Sequence, residues 1–263
     1  MAAARDDTGA VVSLPADVRR VVSLVPSLTE AVAVTEPGLL VGATDWCSHP
    51  GDLVVTRVRG TKNPDVDAVV ALAPDLVLAN EEENRASDLD ALRRRGVAVW
   101  VTDIRTVPGA VGSLSRMLAA CGLAPPAWLD DAEQAWAELP HATVRRRAFV
   151  PIWRKPWMAL GRDTFAGDVL ARLGIDHVHD DADDRYPKVD LADLRAARPD
   201  LVVCPDEPYA FSLDRDLDAF RGFDAPVAFV SGRHLTWYGP SLVRAAGVLG
   251  RQLAAAVPAP PAL

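Results

Sequence analysis

Two stretches of the chain share one pattern of apolar and polar positions. The residues PDLV occur at 74–77 and again at 199–202. A short helical pattern precedes each copy, at 66–72 and 191–197, and an apolar run ending in acidic residues follows it, at 78–82 and 203–207. Each copy predicts a helix, a Pro-Asp turn, a buried strand and a loop at the strand's carboxyl end. Chance recurrence is the alternative, but the matching acidic ends favour two similar lobes.

The rest of the chain alternates apolar strand patterns with helical ones. Strands are predicted near 20–25, 39–43, 97–101, 148–153 and 227–230, and helices at 87–95, 164–173 and 241–255. This alternation predicts an α/β fold with mainly parallel sheets flanked by helices. Two helical stretches at 109–121 and 127–139 interrupt the alternation. We therefore predict a loose tail over 1–17, an N-terminal lobe over 18–106, a helical connector over 107–144 and a C-terminal lobe over 145–256.

Composition narrows the functional class. The chain has 263 residues, of which 49% are hydrophobic, and a formal net charge of -8. An acidic chain is a poor match for nucleic acid, and no apolar run is long enough for membrane insertion. Arg5, Asp6 and Asp7 interrupt the region where a signal peptide has its apolar core, and no nearby cysteine could take a lipid. The sequence as written predicts a cytoplasmic protein; a misassigned start codon is the alternative.

Few residues of the sequence suggest catalysis or metal binding. There is no P-loop, GxSxG or GxGxxG motif, so we predict a protein that is not an enzyme and requires no cofactor. Cys47 and His49 follow a strand and could supply two ligands to a soft metal, or be a half-buried cysteine beside a surface histidine. His177 and His179 precede an acidic loop, where a divalent-ion site and a solvated loop are the alternatives.

Aromatic residues give the stronger signal, because several tryptophans lie in or beside loops that follow strands. Ligands of open α/β sheets bind at the carboxyl ends of the strands, and two lobes facing each other would bring these ends to one cleft. Core packing of the aromatics and a solvated charge run at 81–83 are the alternatives. The candidate ligand-binding residues are Pro26, Ser27, Trp46, Lys62, Glu82, Asn84, Trp153, Arg154, Lys155, Trp157, Tyr186, Glu207, Tyr209, Trp237 and Tyr238.

Several segments together resemble a known family. They are RVVSLVPSLTE at 20–30, VGATDW at 41–46, LRRRGVAVWV at 92–101, TFAGDVLARLG at 164–174 and WYG at 237–239. They resemble the class III, helical-backbone substrate-binding proteins of cobalamin and ferric-siderophore ABC importers. CSHP, NEEEN and WRKPWM are similar to a subgroup described as helical-backbone metal receptors. The resemblance implies two α/β lobes joined by one long helix, with a ligand held between them.

The resemblance also implies a membrane partner. Family members present one acidic residue per lobe, in the helix before PDLV, to the ABC permease. Asp67 occupies that position in the first lobe, and Ala192 occupies it in the second, where Asp190 and Asp193 are the nearby candidates. Exported relatives carry a signal peptide or lipobox, and the sequence as written predicts neither. Thr61-Lys62 also replaces a tryptophan that lines the cobalamin pocket of vitamin-binding relatives.

The leading hypothesis is a binding protein that holds a corrinoid, a ferric-siderophore or another metal chelate in the cleft. Its tryptophans would pack on the ligand. Lys62, Arg154 and Lys155 would meet the ligand's anionic or amide edge, and Glu82 and Glu207 would accept hydrogen bonds. The second hypothesis is a bare metal ion held by Cys47, His49 and a carboxylate. The third is an enzyme that modifies a chelate.

Overall fold

The computed structural model describes residues 2–140 and 142–262, which divide into two compact units. The first unit holds the residues up to 104 together with 108–132 and 238–240, and the second holds the remainder. The domain boundaries given above from the sequence stay a prediction. The α/β class with mainly parallel sheets is confirmed, as the topology of each unit shows.

The first unit is built on a parallel sheet of five strands, β3 (Val21–Ser23), β4 (Leu40–Ala43), β5 (Thr56–Arg57), β8 (Leu76–Asn80) and β9 (Val99–Thr102). Their order across the sheet is β5-β4-β3-β8-β9. Its helices include α1 (Pro26–Thr35), α2 (Val66–Ala71) and α3 (Ala86–Arg94), and the short strands β6 (Arg59–Gly60) and β7 (Asn63–Pro64) form a hairpin before α2. Every residue of β8 is buried, as expected for a parallel strand covered on both faces.

The second unit repeats this plan with four parallel strands, β10 (Arg146–Phe149), β13 (Ile175–His177), β14 (Leu201–Pro205) and β15 (Val227–Val230). Their order across the sheet is β13-β10-β14-β15. A hairpin of β11 (Pro151–Arg154) and β12 (Trp157–Ala159) follows β10. The helices are α6 (Phe165–Arg172), α7 (Leu191–Ala196), α8 (Leu213–Asp216), α9 (Gly232–Thr236) and α10 (Leu242–Ala254).

The two PDLV copies do the same structural work in their units. The Asp75 carboxylate accepts the backbone N–H of Arg20 at 2.9 Å, and the Asp200 carboxylate accepts that of Arg147 at 2.8 Å. Each aspartate thereby ties the turn before its PDLV strand to the start of the neighbouring parallel strand, β3 in the first unit and β10 in the second. The residue before each proline, Ala73 or Arg198, has a positive φ, of 44° and 47° respectively. Identical clamps and identical backbone turns support the inferred duplication.

The predicted loose tail at 1–17 is wrong. Strands β1 (Ala2–Arg5) and β2 (Val11–Leu14) form an antiparallel hairpin. The Asp6 carboxylate accepts the N–H groups of Thr8 and Ala10, which closes the turn, and it also accepts that of Val101 in β9. Asp7 forms an ion pair with Arg116 at 2.6 Å. Asp6 and Asp7 therefore close the hairpin turn and attach it to the first unit.

The connector contains two helices, α4 (Val107–Ala120) and α5 (Ala127–Ala137). Both agree with the helical stretches predicted from the sequence. The single long helix implied by the family resemblance is not observed. Gly122 has φ 77°, a left-handed conformation that ends a helix, and Pro125-Pro126 follow it.

Candidate functional site

The loop after β8 in the first unit is rigidly built. The Asn80 side-chain oxygen accepts the backbone N–H groups of Glu82 at 2.9 Å and Glu83 at 3.1 Å. Its amide nitrogen donates to the Thr102 carbonyl at 2.9 Å. Asn80 is itself buried. The acidic run at 81–83 is therefore held by a buried amide at the carboxyl end of the strand, and this argues against a loose solvated charge run.

Asn84 closes the same loop from its other end. Its side-chain oxygen accepts the Asn80 N–H at 2.9 Å, and its amide nitrogen donates to the Thr61 carbonyl at 2.9 Å and the Leu24 carbonyl at 3.3 Å. The side chain is buried with its polar atoms used internally, so Asn84 shapes the loop. Lys62 donates to the Glu82 carbonyl, which ties the β6–β7 turn to the acidic loop.

Trp46 is the exposed aromatic residue of the first unit's loops. It follows β4, and 67% of its surface is accessible to solvent. Exposing an indole to this extent costs free energy that burial would recover. A Cβ at Gly60 would lie 3.3 Å from the Trp46 indole nitrogen, so the ring rests against the β6–β7 turn. The structure thus offers an aromatic face beside the loop that carries Lys62.

Cys47 is the residue next to this exposed indole, but its thiol is fully buried. Its sulfur lies 3.0 Å from the Thr29 hydroxyl and 3.1 Å from the Thr44 hydroxyl. Burial raises the pKa of the Cys47 thiol, an effect that these hydrogen bonds partly offset. His49 is half-buried, with Nδ1 3.1 Å from the Ser48 hydroxyl. Within the described residues, no group of three or more His, Cys, Asp or Glu could hold a metal ion. The Cys47–His49 hypothesis stays a prediction that these contacts do not favour.

Pro26 and Ser27 lie in the first turn of α1, directly after β3. Ser27 and Tyr238 are both buried in the first unit. Burial holds the pKa of the Tyr238 phenol well above its usual range. The nearby Glu83 raises it further, and the Ser27 side chain lowers it. Gly239 passes so close to Ser27 that a Cβ there would lie 3.1 Å from the Ser27 carbonyl oxygen. Tyr238 thus lies close to the acidic loop.

In the second unit an aromatic cluster follows the strand ends. Trp153, in β11, has 42% of its surface exposed. Its ring packs edge-on against Tyr209, with centroids 5.8 Å apart. Behind them Trp157 stacks on Phe211, with centroids at 6.1 Å and planes 12° apart, and contacts the fully buried Phe220. We call these five residues, Trp153, Trp157, Tyr209, Phe211 and Phe220, the aromatic cluster. The cluster is anchored in the core at Phe220 and presents Trp153 to solvent at its other end.

Arg154 does not present a free charge. Its guanidinium forms an ion pair with the carboxylate of Asp216 and lies 5.7 Å from the centre of the Trp157 ring. Lys155, in the turn between β11 and β12, is exposed. Of the two cations predicted for this loop, only Lys155 is thus directed to solvent without an ion-pair partner among the described residues.

Glu207 follows β14, and its carboxylate accepts the Trp237 indole N–H at 2.9 Å. Burial raises the pKa of Glu207, and the Trp237 hydrogen bond partly offsets this. Gly232 packs against Glu207 so tightly that a Cβ would lie 2.6 Å from the Glu207 backbone nitrogen. Trp237 is buried, with the Arg233 guanidinium 5.8 Å from its ring centre. Glu207 is therefore a fixed hydrogen-bond acceptor, and Trp237 supports it.

The remaining predicted residues lie elsewhere. Tyr186 is half-buried in the loop before α7. Asp67, in the first turn of α2, is exposed and pairs with Arg95. Asp190 caps α7 by accepting the Ala192 N–H at 2.7 Å, whereas Asp193 is exposed in the first turn. The docking role of these aspartates stays a prediction.

The buried ring of His177 should make the stability of the fold depend on pH. The ring is buried beside Gly167, and Nδ1 has no hydrogen-bond partner within the part of the chain that is described. Burial lowers the pKa of His177; Asp180 raises it and His179 lowers it further. Burial lowers the pKa of His179 as well. A lowered folded-state pKa gives stability that is present above the ordinary histidine pKa and is lost as pH falls through the lowered value.

We therefore expect the free energy of unfolding to fall on acidification below about pH 6.5, by at most about 1.4 kcal/mol per pH unit for each histidine. Urea unfolding at pH 5 to 8 would measure it. His177→Gln should reduce the slope of the free energy of unfolding against pH. His49→Gln is the control, and it should leave the contribution of His177 and His179 to that slope unchanged. An equal slope in wild type and His177→Gln would contradict the prediction.

Sequence reasoning missed Asn80 and Asp216. Asn80 ends the first PDLV strand, but its position in the second copy is held by Pro205, so the repeat gave no signal for it. Asp216 lies in the acidic, helical stretch 213–218, where a carboxylate usually faces solvent. In the structure it has no exposed surface. Only the unusual burial of its carboxylate distinguishes it from the neighbouring acids.

In sequence the chain is similar to the vitamin B12-binding protein of Pectobacterium carotovorum subsp. carotovorum (strain PC1), at 23% identity over 252 residues, covering 91% of this chain and 90% of the relative. No family model matches.

Two solved structures are similar across most of their length. The periplasmic vitamin B12-binding protein of Vibrio cholerae has a TM-score of 0.71 at 20% identity, covering 90% of this chain and 97% of that one. The periplasmic haem-binding protein of Roseiflexus sp. RS-1 has a TM-score of 0.75 at 17% identity, covering 90% and 98%. These likenesses establish the fold, and they confirm the predicted resemblance to the helical-backbone binding proteins.

The prediction of a cytoplasmic location is wrong. It rested on the charged residues 5–7, whereas both of these solved relatives are periplasmic proteins. Of these, Asp6 and Asp7 bind the hairpin to the folded first unit, so their charge reflects packing and carries no information on location. In the described part of the chain, the helices are too short or too polar to cross a bilayer.

Proposed function

We propose that this chain is an extracytoplasmic, non-enzymatic binding protein for a metal chelate with a flat or macrocyclic face. The observation that carries the proposal is the pair of exposed tryptophans, Trp46 in the first unit and Trp153 in the second, each in or beside a loop at the carboxyl end of a strand. Large exposed indoles are typical of ligand and partner contacts, because leaving them in water is unfavourable.

Fixed polar groups accompany each indole. In the first unit these are the acidic loop held by Asn80 and the Lys62 side chain bound to it. In the second unit they are the Glu207 carboxylate, held by Trp237, and the exposed Lys155. A largely apolar surface with a few fixed polar groups is what a chelate with a polar edge requires. The sequence relative is named for vitamin B12 binding, and this supports the same proposal.

We also propose that the chain delivers its ligand to the permease of an ABC importer. Asp67 and Asp193 carry exposed carboxylates on the corresponding helices α2 and α7, before the two PDLV strands. Asp190 is less suited to docking, because its carboxylate already caps α7. We assign Asp67 and Asp193 as the contacts for an ABC permease.

A thermal-shift screen tests the binding function. The purified protein is melted with cyanocobalamin, dicyanocobinamide, haemin, a ferric hydroxamate siderophore and zinc, nickel or cobalt salts. A ligand present at 100 times its Kd stabilises the folded state by about 2.7 kcal/mol, which raises the Tm by roughly 5–10 °C for a chain of this size. A rise with one chelate class is the expected result.

Two outcomes would count against the proposal. If no chelate raises the Tm, the proposed binding function is wrong. A rise with free metal ions alone, abolished by Cys47→Ser, would replace it with the metal-ion hypothesis. Cys121→Ser is the matched control for that variant, since Cys121 is also a buried free cysteine.

A further inference from the structure

Asp216 is a carboxylate buried at the base of the second unit's loops. It ends α8 and has no exposed surface. One carboxylate oxygen accepts a hydrogen bond from the Arg154 guanidinium and lies 3.4 Å from the Tyr209 hydroxyl. The other accepts the Ser212 backbone N–H at 2.9 Å. A single side chain thus joins the β11–β12 hairpin to the loop that carries Tyr209.

The pairing decides which charge the loops present. Arg154 has 29% of its side chain exposed and lies in the strand that bears Trp153. A guanidinium with free donors is the preferred protein partner of carboxylates, because it binds both oxygens at once. Asp216 accepts from one of those donors, Nη1, and offsets the positive charge. Without it, a cation would stand beside the exposed indole.

The rest of the same surface offers hydrogen-bond acceptors. Glu207 lies two residues before Tyr209, and its carboxylate is held in place by the Trp237 indole N–H. Asp206 accepts the Gly232 N–H at 2.6 Å. Lys155, on the turn of the hairpin, is exposed, and so is Arg215, whose guanidinium lies 3.8 Å from the other Asp216 oxygen. A carboxylate on a ligand would therefore meet two acids and two arginines that are already beside Asp216, whereas amide or amine donors would find acceptors already in position.

We propose that Asp216 sets the charge selectivity of this surface: by holding Arg154 in an ion pair, it favours a chelate with an amide or amine edge over one with a carboxylate edge. Asp216 acts through Arg154 and Tyr209, so it is a positioning residue and makes no contact with the ligand. The inference rests on the proposed binding function and narrows its ligand class.

The test compares two flat probes with different edges, cyanocobalamin with amides and haemin with carboxylates. Dissociation constants are measured for wild type, Asp216→Asn and the double variant Arg154→Gln/Asp216→Asn, at low and high salt. Wild type should prefer cyanocobalamin. Asp216→Asn keeps the shape and frees the Arg154 charge, so the affinity for haemin relative to cyanocobalamin should rise about tenfold. The rise should shrink at high salt, and the double variant should return to the wild-type ratio.

These readouts separate selectivity from simple support of the fold, which would weaken both probes together. An unchanged ratio in folded Asp216→Asn, or a wild-type preference for haemin, would overturn the inference while leaving the binding function intact. If Asp216→Asn does not fold, the double variant decides alone, since a selective loss of haemin affinity there would show that Arg154 already serves carboxylates. If wild type binds neither probe nor any other chelate in the thermal-shift screen, both proposals fail.

Discussion

Replacing Trp153 with alanine should weaken binding of cyanocobalamin by about 30-fold or more. Trp153 is the exposed end of the aromatic cluster, packed edge-on against Tyr209 and supported from behind by Trp157 and Phe211. A tryptophan so fixed loses little conformational freedom when a ligand covers it, and truncating such a residue commonly costs about 2 kcal/mol.

Isothermal titration calorimetry would measure this loss, with two controls. Trp153→Phe keeps an aromatic face and should bind within about fivefold of wild type, since most of the stacking area remains. Leu213→Ala removes another exposed apolar side chain of the same unit and should leave binding unchanged. Wild-type affinity in Trp153→Ala would show that the ligand does not use the aromatic cluster.

The second large effect is expected from Asn80→Ala, which should lower the free energy of unfolding of the first unit by about 2–3 kcal/mol. The substitution leaves the Glu82 and Glu83 N–H groups and the Thr102 carbonyl without their buried partner. The acidic loop should therefore open more often than the rest of the unit.

Hydrogen exchange at the Glu82 and Glu83 amides would detect the opening, because exchange reports local as well as global unfolding. Asn63→Ala is the matched control, an exposed asparagine in the same unit, and should change stability by no more than about 0.5 kcal/mol. If the amides of Asn80→Ala stay as protected as in wild type, Asn80 does not hold the loop.

Periodicity and the repeat were enough to predict the fold. The buried strands β8 and β14 follow directly from continuous apolar runs between punctuating residues, and such runs are reliable where both faces of a strand are covered. The N-terminal hairpin was missed for a physical reason. Its strands are short, and its turn is fixed by the carboxylates of Asp6 and Asp7, which in sequence resemble any solvated acids.

The candidate site was predictable in part. Loop tryptophans after strands identified Trp46 and Trp153, both of which the structure leaves exposed. Sequence could not separate contact residues from supporting ones, because both are polar and both follow strands. Asn84 and Arg154 were both predicted to contact the ligand, and this stays a prediction. In the structure the Asn84 amide donates to backbone carbonyls, and the Arg154 guanidinium pairs with Asp216. That distinction depends on distances across the fold, which no local pattern carries.

The N-terminal hairpin also has a consequence for self-association. Strand β9 lies at one edge of the first unit's sheet, where backbone groups would be open to another chain. The hairpin turn occupies that edge: the Asp7 N–H donates to the Val101 carbonyl at 3.1 Å, and Asp6 accepts the Val101 N–H at 3.2 Å. Two acidic residues thus cap the strand with charge as well as hydrogen bonds. A version of the protein cut after residue 14 would leave a bare apolar edge, the kind of template on which strands of neighbouring molecules pair and aggregate.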